Sequence, residues 1–146
     1  MNVNNFLKEI RKFGELEELA EDEIKEKNEV GYLFLAEIGK FLTYSEFEIL
    51  NSKRIPFLIT VKNEMIELSF IVRKEMIGDL DVTSIINEIN AEIKYGKIYI
   101  DEEQDIIWRS TINIKPYNMD DFMEHIECGI LTYLYLLLVC LEMTNE

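Results

Sequence analysis

The chain has 146 residues, with 29 Asp and Glu against 15 Lys and Arg, for a formal net charge of −14 with its one histidine neutral. That length is one domain's worth and enough to bury a sizeable core, and a composition of 48% hydrophobic and 30% charged residues excludes a disordered chain. The acid excess argues against nucleic acid and anionic membrane surfaces as partners, because both are held by clustered Lys and Arg.

Residues 1–29 are the most acidic stretch. Phe6, Leu7, Ile10 and Phe13, then Leu16, Leu19, Ala20 and Ile24, keep helical spacing opposite Glu9, Glu15, Glu17, Glu18, Glu21, Asp22, Glu23 and Glu26. The spacing predicts an acidic amphipathic arm, its acid face either solvated or docked on a partner or sister subunit. Met1 to Asn5 carry no basic and apolar signal pattern, so a cytoplasmic protein is expected. Val30, Leu33, Phe34, Ile38, Phe41 and Leu42 continue the helical period and predict a helix, separate from the arm or continuous with it.

The period then changes. Phe47 and Ile49 alternate with Glu46 and Glu48, which predicts a short strand; Pro56–Lys62 is rich in β-formers, and Met65–Arg73 alternates as a third strand. Asp81 or Thr83 can cap a helix with the stripe Val82, Ile85, Ile86, Ile89 and Ile93, and Gly96 falls at its C-terminal cap. Ile98 and Ile100 open a strand, Asp101–Gln104 turn, and Ile106, Trp108, Ser110, Ile112 and Ile114 line one face of a partner strand. A last helix runs from about Met119 to Met143.

The predicted architecture is therefore α+β: helix, three strands, helix, two strands, helix, in an antiparallel sheet, with an extra acidic helix in front. The domain is expected over 30–146, with 1–29 as the arm.

Within it, Ile86-Asn87-Glu88-Ile89-Asn90 on a helix precedes Tyr95-Gly96-Lys97-Ile98-Tyr99-Ile100-Asp101, an acidic turn, and the strand through Ile106, Ile107 and Trp108. This order resembles the YbjN family and, more distantly, the bacterial type III secretion chaperones of the same fold. Element order agrees over residues 30–143, and the motif-like part is Asn87–Trp108. The resemblance implies a protein-binding fold without known catalysis, and for the secretion chaperones a small acidic cytoplasmic homodimer that holds a client chain along apolar strips. It transfers no site residue by residue. The acidic helix before Val30 departs from the compact family pattern.

Chemistry-bearing residues are sparse. His125 has no serine nearby in sequence, and its i+3 neighbour Cys128 starts an apolar helix, so neither a nucleophilic dyad nor a metal site with Glu124 and Glu127 is expected. Asp101-Glu102-Glu103 and Asp120-Asp121 read as turn and cap residues. No glycine-rich phosphate loop is present in the sequence. No catalytic residue, metal or cofactor is expected. Cys128 and Cys140 lie roughly 18 Å apart along one helix, beyond the ~7 Å reach of a disulfide, and read as buried hydrophobes.

Two features exceed a plain core. The segment Gly129–Leu141 is apolar almost all round but shorter than the ~20 residues of a membrane span. It reads as a core helix whose back is covered by the Val30–Leu42 helix and the arm, or by another subunit. The central strands are apolar on both faces, covered either by the Asp81–Lys94 helix or by a dimer mate or client, with Trp108 as anchor. Phe57, Ile59, Ile71, Trp108, Tyr133 and Leu136 are the candidate partner or dimer surface. The expected function is a non-enzymatic, chaperone-like or regulatory binding protein of YbjN type acting as a homodimer. The alternative is an acidic inhibitor or immunity protein that binds a basic toxin or nuclease, steered by its charge.

Overall fold

The computed structural model describes residues 3–19, 29–41, 53–62, 65–113 and 119–144. Helix α1 (Val3–Ile10) and a 3-10 turn (Arg11–Phe13) lead into strand β1 (Gly14–Glu18), followed by β2 (Glu29–Glu37) and a helical turn α2 (Ile38–Phe41). Strands β3 (Arg54–Lys62) and β4 (Met65–Val72), turn α3 (Lys74–Ile77), helix α4 (Thr83–Glu92), strands β5 (Lys97–Ile100) and β6 (Ile106–Asn113), and helix α5 (Met119–Thr144) complete it. The fold is α+β. Its six strands form one antiparallel sheet in the order β1-β2-β3-β4-β6-β5.

Two predicted helices are corrected. Among the described residues the arm is helical only through Phe13, and Gly14–Glu18 form an edge strand whose Glu15-Leu16-Glu17 alternation suits a half-buried strand better than a helix face. Val30–Leu42 is mostly strand β2, followed by the short turn α2. Val30, Leu33, Phe34, Ile38 and Phe41 fit a helical stripe, but Tyr32, Phe34 and Ala36 also fit one face of a strand. A run apolar on both faces supports either period, and pairing along nine positions of β3 decides for the strand. The predicted strand at Phe47–Ile49 and most of the predicted helix beyond Leu19 lie outside the described residues.

The later elements follow their patterns. Asp81 Oδ1 accepts the Thr83 N–H at 3.1 Å, and this backbone hydrogen bond holds its carboxyl below the ordinary range. Helix α4 caps at Ile93, three residues before the expected Gly96; Gly96 instead adopts φ 79 just ahead of β5, where a Cβ would meet Trp108 Nε1 and the Arg109 carbonyl oxygen at 2.7 Å. Pro56 is accommodated within β3 because pairing with β4 begins only at Leu58, so its missing N–H interrupts no bond to β4.

All the longer helices pack on one face of the sheet. There Phe34, Phe57, Ile59, Leu68, Phe70, Ile98 and Trp108 are buried beneath Phe122, Ile126, Ile130 and Leu136 of α5, and Ile86 and Ile89 of α4 join the same core. Each such side chain contributes about 1.5–3 kcal/mol by leaving water. Helix α1 is part of this layer: Phe6 meets Phe122 edge-on at 4.4 Å, and Leu7 and Ile10 are buried. Residues 3–18 therefore share the core and sheet of the residues that follow. Gly129 lets α5 settle onto the sheet, since a Cβ there would stand 2.9 Å from Phe57 and Trp108. Trp108 stacks on Phe70 at 5.6 Å and donates its indole N–H to the Tyr95 carbonyl at 3.2 Å.

This arrangement corrects the expected cover of both apolar elements. Helix α4 lies on the same side as α5, and among the described residues no helix covers the second face of the sheet, where Leu58 and Ile71 are exposed and Ser69 and Ile107 are buried. No Val30–Leu42 helix exists to cover the back of α5. By length and composition α5 could cross a membrane over Met119–Cys140, but here it lies along the sheet with its inward stripe buried.

Candidate protein-interaction site

The strand registers determine which side chains reach the open face. Leu33 opposes Leu58, Leu58 opposes Ser69, Ile71 opposes Ile107, and Ile107 opposes Tyr99. Leu58 and Ile71 are 38% and 40% exposed. Charges interleave with these apolar residues in opposite-sign pairs. Arg54 bridges Glu15 at 3.0 Å and Glu37 at 3.6 Å, and Arg109 bridges Glu67 at 3.1 Å. Arg109 also stands 5.8 Å over the Tyr99 ring. A shallow concavity of about 850 Å³ runs across this face from Leu58 and Thr60 to Tyr99 and Arg109.

A second apolar surface lies between α4 and α5. It is a groove of about 570 Å³ with Ile89, Ile93, Tyr95, Cys128, Leu131 and Tyr135 along it and Glu88, Glu92, Glu124 and Glu127 at its rim. Leu131, Tyr135 and Leu138 follow one another at helical spacing and are exposed, Leu131 and Leu138 by 51% and 56%. The cation of the lining, Lys94, stands 5.1 Å over Tyr95 and 4.0 Å from Glu124. The Tyr95 hydroxyl donates to Glu124 at 2.6 Å, and that bond raises the phenol's pKa above its ordinary value.

Of the residues expected at a partner surface, Ile71 alone reaches the open sheet face. Phe57, Ile59, Trp108 and Leu136 are fully or almost fully buried between sheet and helices, and Tyr133 is half-buried with its ring edge-on to Phe70 at 5.2 Å. Their apolar character reflects the core. The β3 alternation holds, with its more apolar face turned inward toward α5 and Leu58 outward. Leu33, Leu58, Tyr99 and Leu131 are the surface residues the sequence reading missed. The otherwise polar side of β4, interrupted at Ile71, is the signal the sequence offers for this face.

The fold gives His125 a serine after all. Ser110 Oγ lies 2.6 Å from His125 Nδ1, and the imidazole stacks on Tyr95 at 3.9 Å. Burial lowers the His125 pKa, against the opposing pull of Asp121 and Glu124. Ser110 and His125 are only 3% and 8% exposed, so the hydroxyl faces packed side chains, and the pair satisfies two buried polar groups within the core. Cys128 points its thiol at the Tyr95 carbonyl, 3.5 Å away, and neither Cys128 nor Cys140 is disulfide-bonded.

Asp101, Glu103 and Asp105 bring carboxylate oxygens within 4.8 Å of one another at the β5–β6 turn. Their local bonds explain two of them. Asp101 Oδ1 accepts the Glu103 and Asp105 N–H groups at 2.9 and 3.0 Å. Buried Asp105 accepts the Lys74 N–H at 2.8 Å and pairs with Arg73 at 3.2 Å, which ties α3 to the hairpin.

One further contact closes the sheet's edge. The Asn90 side chain on α4 donates to the Ile98 carbonyl at 2.8 Å and accepts the Ile98 N–H at 2.9 Å, supplying both bonds that a neighbouring strand would make there. Compared with protein-family models, curated proteins and solved structures, the chain matches none.

Proposed function

We propose that this chain is a non-enzymatic protein-binding module, chaperone-like or regulatory and of YbjN type, that acts as a homodimer in the cytoplasm without a cofactor. The observation that carries the reading is the open sheet face, where Leu33, Leu58, Ile71 and Tyr99 lie among arginines and glutamates already arranged in opposite-sign pairs. Two copies of such a face can meet about a two-fold axis, and the paired arginines keep the charge around its apolar centre mixed in sign. The element order from β3 to α5 supports the likeness to the secretion chaperone fold, while strands β1 and β2 stand where the hydrophobic spacing predicts helices.

The test is sedimentation of the wild type against L58K/I71K. A dimer that becomes a monomer while keeping its circular dichroism supports the reading. A wild type that stays monomeric at high micromolar concentration overturns it. The second reading, an acidic inhibitor or immunity protein for a basic toxin or nuclease, is favoured by a different observation: the four glutamates around the α4–α5 groove.

A further inference from the structure

We propose that the groove between α4 and α5 receives an amphipathic helix from a basic partner, with Lys or Arg flanking its apolar stripe. This deepens the reading of the chain as a protein-binding module and places a partner at a surface separate from the sheet face.

Shape comes first. From Glu124 to Tyr135 the α5 side of the groove is about 16 Å long, three turns of helix, and Leu138 extends its exposed stripe by a further turn. Leu131, Tyr135 and Leu138 stand at i, i+4 and i+7, the pattern by which one helix lays side chains between those of another. Helix-in-groove recognition uses a bed of this kind, apolar along the floor and polar at the rim.

Charge then selects the occupant. Glu88, Glu92 and Glu127 have no hydrogen bond or ion pair among the described residues, and Lys94 already faces Tyr95 and Glu124. Unpaired carboxylates of one sign around an apolar floor favour a partner carrying the opposite sign on both flanks of its stripe. This chain supplies no good match. Its segment 19–28 reads LAEDEIKEKN, with four acids against two lysines, and a second copy brings a net charge of −14. The groove therefore fits another protein better than it fits this one.

The probe is a fluorescently labelled, amidated peptide of about 14 residues made of Leu and Lys, with the leucines on one helical stripe. Its control has the same composition with the leucines spread around the helix. Binding is read by anisotropy against wild type, the groove variant E88Q/E92Q/E127Q, and E17Q/E75Q/E102Q, which removes the same charge elsewhere. The expected result is that the groove variant and the spread peptide each bind at least about tenfold more weakly, a loss of about 1.4 kcal/mol. The distant variant should then change affinity less than about twofold.

Equal weakening by both variants would assign the binding to the overall field of the protein and overturn the proposal. So would equal binding of the two peptides, or no binding below millimolar concentration. Conversion of a wild-type dimer to monomer by Leu131→Asp would identify a second copy as the occupant and also overturn it. L58K/I71K separates this proposal from the dimer: loss of the dimer with peptide binding retained leaves the groove assignment intact, and loss of peptide binding in that folded variant counts against it.

Discussion

The open sheet face and the α4–α5 groove expose similar apolar side chains but arrange their charges differently. On the sheet, Arg54 and Arg109 pair with Glu15, Glu37 and Glu67, so both signs stand among the apolar residues, with further acid from Glu102 and Glu103 at the hairpin end of the concavity. Around the groove, Glu88, Glu92 and Glu127 lack a partner among the described residues. Exposed ion pairs contribute little to stability, about 0–1 kcal/mol each, so the contrast bears on recognition more than on folding. An apolar patch laced with ion pairs carries both signs and so is compatible with its own image. One ringed by a single sign suits something else.

The two surfaces lie on opposite sides of one core, and removing its centre should destroy both. Trp108→Ala deletes the ring held between Phe57, Phe70 and the Gly129 backbone. It should destabilise the protein by about 3–5 kcal/mol, read as a lower urea midpoint. An unchanged midpoint would mean that the two surfaces do not share this support.

A smaller change should affect the α4 side alone. Asn90→Ala removes the two hydrogen bonds to Ile98 and should cost about 1–3 kcal/mol. Faster amide exchange at Ile98, with exchange in β3 unchanged, would localise the effect to the groove's side of the molecule. Equal acceleration in both strands would show that the sides are not separable.

Acidification offers the mildest test. Burial holds the His125 pKa below the ordinary 6.5, so the unfolded chain binds a proton that the folded chain resists. Stability contributed by the neutral ring is present above 6.5 and is lost as pH falls through that value toward the lower folded one. His125→Gln should flatten the pH dependence of the urea midpoint between neutral pH and about pH 5.5. A slope identical to that of wild type would remove His125 as its source.

Much of the C-terminal two-thirds was legible because each of its elements has one dominant period. Ile66, Leu68, Phe70 and Val72 alternate, the stripe of α4 repeats at helical spacing, and Gly96 stands where its positive φ is needed. The N-terminal third was not, since β2 is apolar on both faces and the acids of β1 resemble a helix's wet side. The groove was illegible for another reason. Glu88 and Glu127 are brought together only because the β5–β6 hairpin returns α5 beside α4. Ser110 and His125 meet in the same way, one from a strand and one from a helix. Periodicity shows which face of an element is apolar, and only the packing shows which of two apolar faces remains outside.

The Asn90 clip has a consequence for how copies of this chain can meet. A strand edge with free N–H and C=O groups can recruit the edge of another molecule, and each addition exposes a new edge, so that mode of contact grows without limit. Here the clip occupies the outer groups of Ile98, while the opposite border, β1, bears Glu15, Glu17 and Glu18. Lateral growth is hindered at Ile98 by a side chain that imitates a strand and discouraged at the other border by repulsion. A contact made through a face differs in kind: two molecules use it up, and it does not extend into a fibre.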